Sequence, residues 1–258
     1  MPSFEFVRYE KEGHVATVTL QRPEVMNALH PPANEELVRV WHDFAADPDA
    51  WVAILTGAGG KAFSAGNDLK WTASHATVSL PKTGFGGLTS RTDLTKPLIA
   101  AVNGFALGGG FELALACDIV VAAEHASFGL PEPRVGLVAA AGGIHRLPRH
   151  VPLKIAMGMM LTGRPIPAAE AARLGLVNEV TTAADLLPAA KRWAAAILEC
   201  SPISVRTTKQ CALEGLDRPL PEAMRADVPA LRRLFTSDDA KEGPRAFAEK
   251  RKPAWKGR

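Results

Sequence analysis

Cysteine is scarce in this 258-residue chain: Cys117, Cys200 and Cys211 are an odd set, without CxxC spacing and with apolar neighbours. That argues against a disulfide framework and for reduced thiols in a cytoplasmic protein. Histidine offers no HxxxH or HxH pair, and His14, His30, His42 and His75 are scattered singly, so no metal is expected. The opening MPSFEFVRYEKEG lacks a basic segment followed by an apolar one, so no secretion signal is expected. The most apolar stretch, 97–123, is interrupted by Asn103, Glu112, Asp118 and a glycine triplet. No uninterrupted span of roughly 18 apolar residues remains, which argues against a membrane helix. Charge of one sign is short as well. Lys+Arg 30 against Asp+Glu 27 leaves +3, without a long basic run, so nucleic acid is not an expected partner.

What is present is a globular balance, 47% hydrophobic and 22% charged, in a chain long enough to bury a large core. Val15–Leu20 alternates like a half-buried strand, and 51–56 is a short apolar run ended by Gly57. Between them Leu37, Val40, Trp41 and Phe44 recur at helical spacing, predicting a helix over 32–46 started by Asn34 or the Pro pair. Residues 57–96 read as a long loop holding one short helix, and loops of that length are more often functional than idle. A buried strand over 96–105, the glycine triplet 108–110, the helix FELALAC and strands at 118–123 and 127–128 follow. Helices are expected at 140–149, 152–161, 167–174, 183–199, 202–215, 220–235 and 238–250. The expected architecture is an α/β core over 1–197 followed by a helical region over 198–258.

Four places carry candidate chemistry. A strand–glycine–helix unit at 97–117 offers unsatisfied N–H donors at a helix start, suited to an anion or a developing oxyanion. It spells neither a P-loop nor GxGxxG, and the glycines serve tight packing equally well. Glu112 lies in the first turn of an otherwise apolar helix. It is either a favourable acidic residue at a helix start or a carboxylate whose burial raises its pKa for acid–base work. Glu132 stands between Pro131 and Pro133, in a segment read as too rigid for a helix; a surface turn is the plain alternative. Ser64, in Ala62-Phe63-Ser64-Ala65-Gly66, nearly completes a nucleophile elbow, against the simpler reading of a small residue in a turn.

Taken together, these segments resemble the enoyl-CoA hydratase/isomerase (crotonase) superfamily. The carriers are LQRPEVMNAL, KAFSAGNDL, KPLIAAVNGFALGGGFELALACDIVVA, SFGLPEPRVGL, AGGIHRLPR and LTGRPIPAAEAARLGLVNEV. The resemblance implies a spiral of ββα turns with a helical C-terminal trimerisation region, in trimers or dimers of trimers. It implies an acyl-CoA thioester held by the backbone N–H groups of Asn67 and Gly109, with Glu112 as the water-activating base and Glu132 as the proton donor to Cα. Coenzyme A and substrate contacts carry over to Val25, Lys61, Ala65, Asp68, Leu69, Gly108, Pro131 and Ala140. No cofactor is implied beyond the coenzyme A of the substrate itself. Two carboxylates favour hydration of an enoyl-CoA over isomerase, purely acyl-CoA-binding or serine-hydrolase readings. Val138-Ala139-Ala140 replaces a glycine-rich run common in hydratases and adds methyls near the expected water. GFGGLT and the C-terminal GPRAFAEKRKPAWKGR resemble the crotonobetainyl-CoA hydratase (carnitinyl-CoA dehydratase) branch, whose trimethylammonium group would want an aromatic lining such as Trp71 and Phe85.

Overall fold

The computed structural model describes residues 4–75 and 80–258. A hairpin of β1 (Val7–Glu12) and β2 (Val15–Leu20) leads into α1 (Pro31–Ala46). Three strand pairs follow: β3 (Val52–Gly57) with β4 (Ala62–Ser64), β5 (Leu98–Val102) with β6 (Phe105–Leu107), and β7 (Ile119–Ala123) with β8 (Ser127–Gly129). Helices α2 (Leu69–Ser74) and α3 (Gly109–Ala116) return the chain between pairs. Then come α4 (Gly143–His150), α5 (Leu153–Thr162), β9 (Ile166–Pro167), α6 (Ala168–Arg173), β10 (Glu179–Thr181) and α7 (Leu186–Leu198). The chain ends in α8 (Pro202–Leu216), α9 (Leu220–Arg225), α10 (Pro229–Thr236) and α11 (Asp238–Ala248).

The first strand of each pair joins a large sheet, ordered β1-β2-β3-β5-β7-β10, and the second joins a small one, β4-β6-β8-β9. Each circuit advances by one strand in both sheets, and β3, β5 and β7 run parallel in the large one. Those three strands are covered on both faces, which is why they read as apolar runs without alternation. Leu55, Ala100, Val102 and Ala122 face the main core with Trp41, Phe44, Phe63 and Phe111. Val52, Ile54, Ile99, Ala101 and Val121 turn to Ala189, Ala190 and Ala194 of α7.

Several expectations need correction. The strand read over 96–105 is two strands in different sheets, turned at Asn103-Gly104, where a Cβ on Gly104 would strike the Lys61 backbone. The Glu132 segment is a single 3-10 turn, Glu132–Val135, because Pro133 falls where its missing N–H costs nothing. The helix read over 220–235 breaks ahead of Pro229, whose ring disfavours helical backbone at the residue before it. Helix α1 starts on Pro31 and Pro32, while the side chain of Asn34 reaches across to another segment. No helix among the described residues is long and apolar enough to cross a membrane.

Candidate active site

The turn after β4 lies against the start of α3, and the RPEVMNAL segment sets it there. Asn27, fully buried with φ +53°, donates from Nδ2 to the carbonyls of Ala58 and Ala62 at 3.0 and 2.8 Å. The Ser64 hydroxyl donates to Asn27 O at 2.8 Å and accepts the Gly66 N–H at 3.1 Å. Ala65 N–H is donated to Met26 O, Leu29 N–H to Gly66 O, and Asp68 N–H to Leu29 O. Residues 64–68 are thereby bound on one side to 26–29. On the other side Gly66, φ +87°, touches α3: a Cβ there would lie 2.7 Å from both Gly109 N and Leu107 O. Among the described residues the Asn67 and Gly109 N–H groups have no protein acceptor. The fold therefore brings two uncommitted backbone donors onto adjoining loops, as oxyanion binding requires.

The two carboxylates flank this junction. Glu112 is 3% exposed, and its Oε1 accepts the Gly143 N–H at 2.8 Å. Burial, followed by the charge of nearby Glu132, raises its pKa to about 7, against the lowering by the Gly143 and Ala141 N–H groups. Glu132 is half-buried; its Oε1 would lie 3.0 Å from a Cβ on Gly108, and its Oε2 is buried without a partner. Burial raises its pKa also. Two carboxyls whose pKa values are raised by burial, one with a buried and unpartnered oxygen, can exchange protons with a small molecule between them.

The remaining expected contacts lie on several separate segments. Gly108, with φ +56°, opens α3, and Pro131 precedes the Glu132 turn. Val25 is half-buried, Lys61, Leu69 and Ala140 are exposed, and Ala65 is half-buried. Asp68 caps α2 through Trp71 N–H and pairs with Arg22 at 3.0 Å, and its own N–H is spent on Leu29, so its polar groups serve the fold. Of the substituted run, Val138 and Ala140 face outward and only Ala139 is buried, its Cβ 2.9 Å from the Cβ position of Gly143. The Trp71 ring is stacked on His75 at 4.1 Å and meets His30 edge-on. Phe85 is buried against Gly109. Two contributors carry no signal of their own in the sequence: Gly143 of AGGIHRLPR, which holds Glu112, and Asn27 of LQRPEVMNAL, which ties the Ala58 and Ala62 carbonyls. No group of three or more potential metal ligands occurs among the described residues.

Ser64 is fully buried with both hydroxyl bonds committed, and among the described residues no histidine is bonded to it, which removes the geometric basis of the nucleophile reading. Ser64→Ala should leave most turnover intact while orphaning Asn27 O and Gly66 N–H, at a cost of about 1–3 kcal/mol in denaturant melts. Stoichiometric labelling of Ser64 by a fluorophosphonate, or loss of more than about a thousandfold in the alanine variant, would restore the hydrolase reading.

A family profile described as "Enoyl-CoA hydratase/isomerase" matches residues 10–258. The chain belongs to this family. The carnitinyl-CoA dehydratase of Salmonella arizonae is 43% identical over 262 residues, spanning 98% of this chain and 99% of that one. The structure of an enoyl-CoA hydratase from Mycobacterium tuberculosis H37Rv superposes with a TM-score of 0.93 at 42% identity, covering 98% and 99% of the two chains. That of an enoyl-CoA hydratase from Mycobacterium marinum gives 0.93 at 41%, with the same coverage. This member of the enoyl-CoA hydratase/isomerase family is thus an enzyme of the hydro-lyase type, a hydratase or dehydratase of coenzyme A esters. Its crotonase fold accounts for the β3–β4, β5–β6 and β7–β8 circuits.

Proposed function

We propose that the enzyme adds water reversibly, in syn fashion, across the 2,3 double bond of an enoyl-CoA thioester. The observation that carries the reading is the pairing of two pKa-raised carboxyls, Glu112 and Glu132, with the two uncommitted N–H groups of Asn67 and Gly109. Attack by water at Cβ drives charge onto the thioester oxygen, and each N–H aimed there contributes about 3 kcal/mol to the transition state. Glu112, ionised, takes a proton from water as the C–O bond forms. Glu132, protonated, delivers one to Cα. Both carboxyls return to their starting state when product leaves and protons exchange. Water and the thioester suffice, so the proposal calls for no separate cofactor. Val25, Lys61, Ala65, Leu69, Gly108, Pro131 and Ala140 are proposed to line the coenzyme A and acyl path, and Asp68 to hold that path in shape.

A second reading, dehydration of carnitinyl-CoA, is supported by the names of the 42–43% identical relatives. Against it, one face of Trp71 is covered by the His75 ring and Phe85 is only 3% exposed, which reduces the aromatic surface these two residues offer a trimethylammonium group. Loss of conjugated-thioester absorbance with crotonyl-, longer enoyl- and crotonobetainyl-CoA separates the readings. The two readings share one reaction and differ in the acyl group: turnover confined to crotonobetainyl-CoA overturns a simple, uncharged enoyl-CoA as the substrate, and activity with none of the three overturns both.

We also propose that residues 198–258 form a subunit interface in a trimer or dimer of trimers. Leu213, Leu216, Leu220, Met224, Phe235 and Phe247 are all more than half exposed, from 53% to 87%. A solvated apolar surface of that extent calls for a partner. Sedimentation at micromolar concentration is expected to give three subunits or a multiple of three, and a clean monomer contradicts the proposal.

A further inference from the structure

The segment Gly84–Leu88 has no part in the mechanism above, yet it is fastened with unusual care. Gly86 donates its N–H to Asn34 Oδ1 at 2.6 Å and accepts Trp41 Nε1–H on its carbonyl at 2.9 Å. Asn34 in turn donates to His30 O, and both Asn34 and Trp41 are buried. A Cβ on Gly87, φ +64°, would fall 2.7 Å from Val38 N. Positions 34, 38 and 41 share one stripe of α1, so a single helix face grips two consecutive glycines from both sides. Gly86 and Gly87 have left-handed backbone and leave no room for a side chain: a Cβ on Gly86 would also meet Leu113 Cδ2 at 2.7 Å.

This clamp sets the ring of Phe85. A Cβ on Gly109 would lie 2.6, 2.7 and 2.9 Å from Phe85 Cε1, Cζ and Cδ1, so the ring rests directly on the Gly109 α-carbon. Gly109 is absent from the residues with positive φ, so its backbone would accept alanine and Phe85 is the obstacle to a side chain there. On the opposite side Gly66 abuts Gly109 N. The first residue of α3 is therefore gripped between the 64–67 turn and an aromatic ring held from α1.

We infer that Phe85, clamped by Asn34 and Trp41 through Gly86, is a positioning residue that fixes the Gly109 N–H for polarising the thioester carbonyl. The inference rests on the role proposed above for that N–H. A donor in an oxyanion site is effective only if it is already in place when charge develops, and a helix start without side chains has little else to hold it.

The test uses bound 4-dimethylaminocinnamoyl-CoA, a push–pull chromophore whose absorbance moves red as its carbonyl oxygen accepts hydrogen bonds. With the full-length enzyme, Phe85→Ala is expected to lose at least half of the red shift and 10- to 100-fold in kcat with crotonyl-CoA, while KM changes less than threefold. Trp41→Phe removes the N–H that grips Gly86 and should move both readouts the same way by a smaller amount. Phe85→Leu keeps bulk on Gly109 and should recover part of the loss. Gly109→Ala alone places its methyl on the ring, and adding Phe85→Ala should raise kcat at least tenfold over Gly109→Ala, a non-additive cycle. Normal hydration with an unchanged red shift in Phe85→Ala, or an additive cycle, overturns the buttress. A wild-type protein that polarises the probe, loses this in the variants, yet hydrates no enoyl-CoA overturns the functional reading and upholds the buttress. Absence of any shift in wild type overturns both.

Discussion

Glu112→Gln is expected to lower turnover by about two to four decades while making the folded protein more stable above neutral pH. The first effect follows from removing a base whose proton affinity suits neutral water, its pKa being raised to about 7 chiefly by burial. The second follows from the same shift. Because the folded pKa lies above the ordinary 4.5, the native state binds the proton more tightly than the unfolded chain does. The stabilisation is complete below about 4.5 and lost as pH rises through about 7; above that, the ionised carboxylate is a standing penalty. A gap from 4.5 to about 7 amounts to ~3 kcal/mol. Glutamine keeps an oxygen to accept the Gly143 N–H and carries no charge, so its stability should be flat over this range where wild type declines. Urea melts from pH 5 to pH 8, paired with turnover, check both halves. A folded variant with near-normal turnover removes Glu112 from the mechanism, and parallel stability profiles show that its burial has no such energetic consequence. Glu132→Gln should cost turnover similarly. In the free enzyme, where the Glu132 charge is one of the causes that raise Glu112, the substitution should also lower the Glu112 pKa, and carboxylate infrared titration reads this directly; in the reactive form the pair's single proton sits on Glu132.

The carboxylates were legible in the sequence because each interrupts its surroundings: Glu112 an apolar helix, Glu132 a pair of prolines. Their partners were not. Gly143 reaches Glu112 from 31 residues away, and nothing local distinguishes it from Gly142. Phe85 lies within GFGGLT, but its contact with Gly109 depends on a clamp from α1 at 45 and 52 residues' separation. Helix-forming segments with clear periodicity, such as α1, were placed within a residue, whereas strands of two or three residues left no period to count. The split of 96–105 was invisible for a physical reason. Both halves are apolar although only β5 is fully buried, Phe105 of β6 being 40% exposed, and only the turn at Gly104 marks the change of sheet. Strand β1 carries no sequence signal for the opposite reason: VRYEKE pairs at a sheet edge with only Val7 fully buried, so alternation never develops. Resemblance supplied what local pattern could not, the association of segments 64–68 and 108–112 in one site.

Gly66→Ala should be among the most damaging substitutions in the chain although it removes no functional group. At φ +87° an alanine is strained, at about 1 kcal/mol or more, before any contact is considered. Its methyl would then stand 2.7 Å from both Gly109 N and Leu107 O, where the two loops that carry the proposed donors touch. Relief requires the loops to part. Displacing the Gly109 N–H by even about 1 Å is worth on the order of a hundredfold in rate, and weakening both donors compounds the loss. The expected result is at least a thousandfold fall in kcat together with a lowered melting temperature. Gly60→Ala is the matched control: its Cβ meets nothing within 4 Å and its φ is not in the left-handed region, so activity and melting should stay near wild type. The effect at 66 is separable from general destabilisation by measuring turnover well below the melting transition, where the folded fraction is essentially complete. A Gly66→Ala protein that is folded there and turns over within tenfold of wild type would mean that the loop junction can open without harm, and that the reacting carbonyl is polarised elsewhere.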